Sequence, residues 1–100
     1  MLKHIVMWKF LPQAEGRTKE ENIRFICGEL KKLPAVIPQI RSLSVGADVL
    51  GSDMSFDCGL VAEFDSEEDM LVYKKHPAHV AVSQYVKKVR SDRAVVDFYD

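Results

Sequence analysis

Two histidines flank a proline in YKKHPAHVAV, residues 73–82, and a tyrosine opens the same stretch. At short range, imidazole and phenol can take up a proton, donate a hydrogen bond or ligate a metal. Proline pushes the residue before it out of the helical region and suits a first helical turn. His76 is therefore expected at the N-cap of a helix that starts at Pro77. His79 falls at about its third position, on the face carrying Val82, Val86 and Val89. That face points at the core or at a cavity within it. The positive end of a helix and an apolar surround both oppose a charged ring. A neutral His79 can then act as a general base, or serve as a hydrogen-bonded core residue. No metal site is expected, because two imidazoles need further ligands and no HExxH helix or cysteine pair supplies them.

The elements that must position these side chains follow from periodicity. KHIVMWKFL reads as a strand, with His4, Val6, Trp8 and Phe10 on one face and Ile5 and Met7 on the other. PQAEGR reads as a turn. Thr18 followed by Glu21 is a capping box opening a helix that carries Ile23, Ile26, Cys27 and Leu30 at helical spacing. Two prolines in LPAVIP end it. QIRSLSVGADVL and FDCGLVAEF read as strands, the second with Cys58 and Leu60 on one face. Asp65 or Ser66 caps a helix running to about Lys75. RAVVDFY is the last strand, with Asp97 read as a charge that blunts an edge.

The order β-α-β-β-α-β is that of an α+β ferredoxin-like sandwich: a four-stranded antiparallel sheet with helices on one face. With strands one and three as neighbours, Tyr73, His79, His4 and Cys58 line the space between helices and sheet. Val6, Trp8, Leu60, Ile23 and Ile26 close that pocket, with His76 and Val82 at its helical side. On the uncovered face, Ile5, Met7, Val61, Val95 and Tyr99 are expected. An apolar face without a cover calls for a second copy packed sheet to sheet.

The totals narrow the function classes. One domain is expected over residues 1–100. The 14 Lys+Arg against 15 Asp+Glu argue against a nucleic-acid surface. The basic cluster Lys87, Lys88, Arg90 and Arg93 reads as a solvated helix face. No apolar run reaches the ~18 residues of a membrane span. MLKHIVMWKF lacks the pattern of a signal peptide, so Cys27 and Cys58 are expected as reduced thiols in a cytoplasmic protein.

KHIVMWKF, FDCGLVAEFDSEED and YKKHPAHVAV together resemble the stress-responsive A/B barrel (Dabb) family, within the dimeric α+β barrel group. The resemblance runs the whole length. It implies a homodimer whose two sheets form a barrel, with no cofactor. Many members have no established activity, so it implies first a pocket that binds a small apolar or carbonyl-containing molecule. One plant member is a polyketide cyclase that performs an intramolecular aldol condensation. Its catalytic tyrosine and the second histidine of its HPxH segment fall on Tyr73 and His79, and its strand-one histidine falls on His4. A cofactor-independent cyclase, lyase or isomerase is the alternative this implies. Oxygen chemistry of the quinol monooxygenase kind is a second alternative, by fold analogy. The sequence departs from the cyclase where Cys58 replaces a histidine, where Asn22, Ile23 and Ile26 replace aromatics, and where Trp8 replaces a smaller residue. Those changes imply a smaller cavity.

Overall fold

Thr18 caps its helix as the sequence requires. Its hydroxyl accepts from the Glu21 backbone N–H at 3.2 Å, and the Glu21 carboxylate accepts from the Thr18 N–H at 2.9 Å. The computed structural model describes all residues 1–100. In chain order the elements are β1 (Leu2–Phe10), β2 (Gln13–Ala14), β3 (Arg17–Thr18), α1 (Lys19–Lys31), β4 (Ser42–Ala47), β5 (Cys58–Phe64), α2 (Glu67–Lys75), α3 (Pro77–Val89) and β6 (Arg90–Tyr99). A 3-10 turn at Leu33–Ala35 ends the α1 region where LPAVIP forbids more helix. None of the helices is long and apolar enough to cross a membrane.

The four long strands form one antiparallel sheet in the order β4-β5-β1-β6. The two neighbours of β1 are β5 and β6, so its side chains sit at the centre of both sheet faces. Leu2, His4, Val6, Trp8 and Phe10 are buried under the helices, as are Cys58, Leu60, Ala62 and Phe64 of β5. The core between sheet and helices holds Ile26, Leu30, Ile37 and Val89 as well.

The register of β6 corrects one expectation. Leu2 lies opposite Tyr99, His4 opposite Asp97, Val6 opposite Val95 and Trp8 opposite Arg93. Directly opposed residues share a face. Val95 and Tyr99 therefore lie on the helix side, exposed because β6 is the edge strand, and Val96 and Phe98 take their place on the open face. The cause is legible: Val95-Val96 and Phe98-Tyr99 are apolar at both parities, so alternation could not select a face.

The PQAEGR turn is a small hairpin. Glu15 and Gly16 have φ of 53° and 75°, the two left-handed residues of a tight connection between β2 and β3. Fully buried Asn22 ties it down. Its amide donates to the Ala14 carbonyl at 3.1 Å, and its side-chain oxygen accepts from the Tyr85 hydroxyl at 2.6 Å.

Candidate active site

His76 breaks the chain direction between α2 and α3. Its backbone is extended, with φ −63° and ψ 134°, as proline at 77 dictates. Its ring Nδ1 accepts from the Ala78 N–H at 3.1 Å, so it caps α3. The break brings the last turn of α2 against the first turn of α3. There the Lys74 carbonyl, one of the acceptors a helix end leaves free, accepts from His79 Nδ1 at 3.2 Å. A carbonyl only accepts, so the His79 proton is on Nδ1. Its Nε2 keeps a lone pair and has no protein partner.

Tyr73 is buried against Phe64 and His79, with ring centroids 5.1 Å and 4.2 Å away. His4 meets it edge-on at 6.3 Å. The Tyr73 hydroxyl makes no hydrogen bond within the chain, yet it is not an orphaned buried group, because it opens onto a cavity. His4 Nδ1 donates to the Asp97 carboxylate at 2.5 Å, which orients the ring from the neighbouring strand. Asp97 is thus a positioning residue, not an edge charge.

The cavity measures about 350 Å³. His4, Tyr73 and His79 form its polar wall; Val6, Trp8 and Leu60 line it from the sheet, and Leu30, Val82 and Val86 from the helices. Lys74, Lys87, Arg90 and Arg93 surround them. Four residues expected in the pocket do not line it. Cys58 faces α1, with its Sγ 3.5 Å from Cys27 Sγ. Its bond to Cys27 and its burial push its pKa far up, which suits packing and not nucleophilic attack. Ile26 is fully buried in the core, and Ile23 packs against the same core on the α1 side. His76 is occupied as a cap. No three His, Cys, Asp or Glu side chains converge as metal ligands would.

Burial sets the protonation states. It is the main cause lowering His79 below the ordinary imidazole value of 6.5. The bond to the Lys74 carbonyl opposes this, while His4, Lys74 and Arg93 reinforce it. His4 is lowered for the same first reason, against the pull of Asp97. Burial pushes Tyr73 up to about 12, with Arg93 opposing. At neutral pH the site therefore holds two neutral imidazoles and one intact phenol.

A stability prediction follows from the two lowered histidines. The unfolded chain binds protons first as pH falls below 6.5, the ordinary imidazole value. Their contribution is complete above that value and is lost as pH drops through the lowered folded-state values. Urea midpoints between about pH 7 and 5 are expected to decline, and less steeply in His79→Gln. A flat profile would contradict the burial of neutral rings.

A four-stranded antiparallel sheet with helices on one face, and a side-chain-lined cavity between them, defines a ferredoxin-like α+β protein. Residues 2–100 match the model of the stress responsive A/B barrel domain (Dabb), and the chain belongs to that family. Its similarity to solved structures agrees. A dimeric ferredoxin-like protein of unknown function from Bacteroides fragilis is 29% identical, with a TM-score of 0.84 over 99% of this chain and 95% of that one. Another, from Thermobifida fusca, is 27% identical, with a TM-score of 0.85 over 99% and 90%. The hydroxynitrile lyase of Passiflora edulis is 17% identical, with a TM-score of 0.81 over 97% and 90%, which is a likeness of fold. No functionally curated protein matches the chain.

Proposed function

We propose that this chain is a single-domain, homodimeric enzyme of cofactor-independent chemistry. It moves a proton at a carbon next to a carbonyl of a small molecule. His79 Nε2 removes that proton. The C–H electron pair becomes a carbon–carbon double bond, and the carbonyl oxygen takes the negative charge. The Tyr73 hydroxyl donates a hydrogen bond to that oxygen as the charge develops. His4, held by Asp97, borders the same space and assists. The enolate then takes a proton back, attacks a second carbonyl within the molecule, or expels a leaving group. The substrate decides whether the outcome is isomerisation, cyclisation or cleavage.

The observation that carries this reading is the His79 ring. Its Nδ1–H is engaged by the Lys74 carbonyl at 3.2 Å, so Nε2 is free and neutral beside an unpartnered, protonated phenol. The space in front of the pair also supports it. Phe10 is buried elsewhere in the core and does not line the cavity, so the pair faces about 350 Å³ of room and not a wall. Homodimerisation is supported by the dimeric relatives at 29% and 27% identity; the apolar, uncovered sheet face is the surface we assign to it. The reduced thiol pair Cys27 and Cys58 is consistent with work in the cytoplasm.

The test is deuterium uptake from D2O, read by proton NMR, at the acidic carbons of a panel of 1,3-diketones and oxo acids. Wild-type protein is expected to accelerate exchange on at least one of them. Tyr73→Phe is expected to slow it about 10- to 100-fold, the worth of one hydrogen bond to a charged oxygen. Exchange at wild-type speed in Tyr73→Phe would remove the phenol from the mechanism.

A further inference from the structure

Four cations border the cavity, and none of them has a partner. Lys74, Lys87, Arg90 and Arg93 all line it, and none takes part in any ion pair of the chain. Acids are not scarce: the net charge is −1. They are simply elsewhere. Lys3, Lys19, Lys32, Arg41 and Lys88 are all paired with carboxylates away from this mouth. The one carboxylate bordering the cavity's polar wall, Asp97, is occupied by His4. Three elements contribute: Lys74 lies in the last turn of α2, Lys87 lies in the last turn of α3, and Arg90 and Arg93 lie on β6, Arg93 opposite Trp8. Cations gathered from separate elements repel one another, and a low-dielectric cavity focuses their field on whatever enters. Arg93 is exposed at the rim of the cavity, and its charge still acts on His4, Tyr73 and His79.

We propose that the cavity takes a small amphipathic acid, with its oxyanion held by Lys74, Lys87, Arg90 and Arg93 and its apolar body against Trp8, Leu60 and Val82. The guanidinium fork pairs with carboxylate and phosphate alike, so the shared chemistry is an oxyanion with two or more accepting oxygens. About 350 Å³ is near the lower end of ligand pockets and suits a compact molecule. The proposal rests on the proton-transfer reading for what the rest of the ligand contains: a carbonyl reaching His79 makes it an oxo acid or its phosphorylated counterpart. The anion site itself stands on the cations alone.

The experiment is calorimetric titration with octanoate, octyl phosphate and octan-1-ol, at low and high salt. Octanoate or octyl phosphate is expected to bind at least about tenfold tighter than octan-1-ol, with the advantage shrinking as salt rises. The tighter of the two anions identifies the head group. Arg93→Gln is expected to weaken anion binding about tenfold and leave octan-1-ol unchanged. Lys88→Gln removes a cation that lies 3.8 Å from Glu15, and it is expected to change neither. Octan-1-ol binding as tightly as the anions, or anion binding untouched in Arg93→Gln/Lys87→Gln, would overturn the proposal. Binding is read without turnover. Failure of the anion site would leave the Tyr73 and His79 exchange results standing, and the reverse also holds.

Discussion

Replacing His79 by glutamine is expected to slow deuterium exchange on a responsive substrate by about 10²- to 10⁴-fold, the span that a positioned general base contributes. Glutamine is chosen because its amide can still donate to the Lys74 carbonyl, which His79 Nδ1 reaches at 3.2 Å. The helix junction keeps its hydrogen bond while the basic nitrogen is lost. A drop in rate with an unchanged melting curve therefore reports proton transfer and not collapse of the site. A loss under about tenfold would assign His79 to structure, as a core histidine satisfied by a carbonyl.

The pH profile supplies an independent reading of the same residue. A general base works when deprotonated, so the rate is expected to rise with pH through a midpoint below 6.5 and then level off. It falls again only as Tyr73 ionises, near about 12. The groups acting on His79 come from each element around it: His4 from β1, Lys74 from α2 and Arg93 from β6. Two of these are permanent cations at neutral pH. Arg93→Gln is thus expected to move the acid midpoint upward, because one charge that disfavours the imidazolium is gone. In His79→Gln the midpoint itself should vanish.

How far the sequence reached this site depends on which signal was local. His79 was legible because Pro77 announces a helix start and Val82, Val86 and Val89 define its inner face. His4 was legible because β1 alternates cleanly. Cys58 alternates just as cleanly, yet it faces α1; periodicity gives the face of a strand but not which helix covers it. Phe56 lies outside β5, with the Lys9 ammonium 4.9 Å above its ring, because strand ends depend on pairing and not on composition. Asp97, Arg90 and Arg93 were hidden for a further reason. Their roles arise from the register of β6 against β1, and β6 is apolar at both parities. Lys87 and Lys88 are neighbours in sequence, but the first borders the cavity and the second pairs with Glu15. A cluster of like charges read along the chain concealed a division that only the fold makes.

Ile5→Asp is expected to weaken the dimer by at least about a hundredfold, read by sedimentation equilibrium. Ile5 sits mid-sheet on the uncovered face, directly between Val61 of β5 and Val96 of β6. Met7, Val61, Val96 and Phe98 around it are 40%, 39%, 53% and 41% exposed in the single chain. A patch of that kind at the centre of a sheet is an interface in want of a cover. In a two-fold dimer each substitution occurs twice, so two carboxylates enter one apolar contact without partners. Several kcal/mol per buried ion exceeds the roughly 2.7 kcal/mol that a hundredfold represents. Val72→Asp is the control: Val72 is 44% exposed on α2, away from the sheet face, and the dimer should persist. An Ile5→Asp protein that remains dimeric would move the interface elsewhere. The consequence reaches the cavity, because β1 is shared by both faces. Its odd positions lie on the proposed dimer face and its even positions carry His4, Val6 and Trp8, so a chain deprived of its partner is expected to hold that wall less firmly. The melting temperature of the wild type should accordingly rise with protein concentration, and that of Ile5→Asp should not.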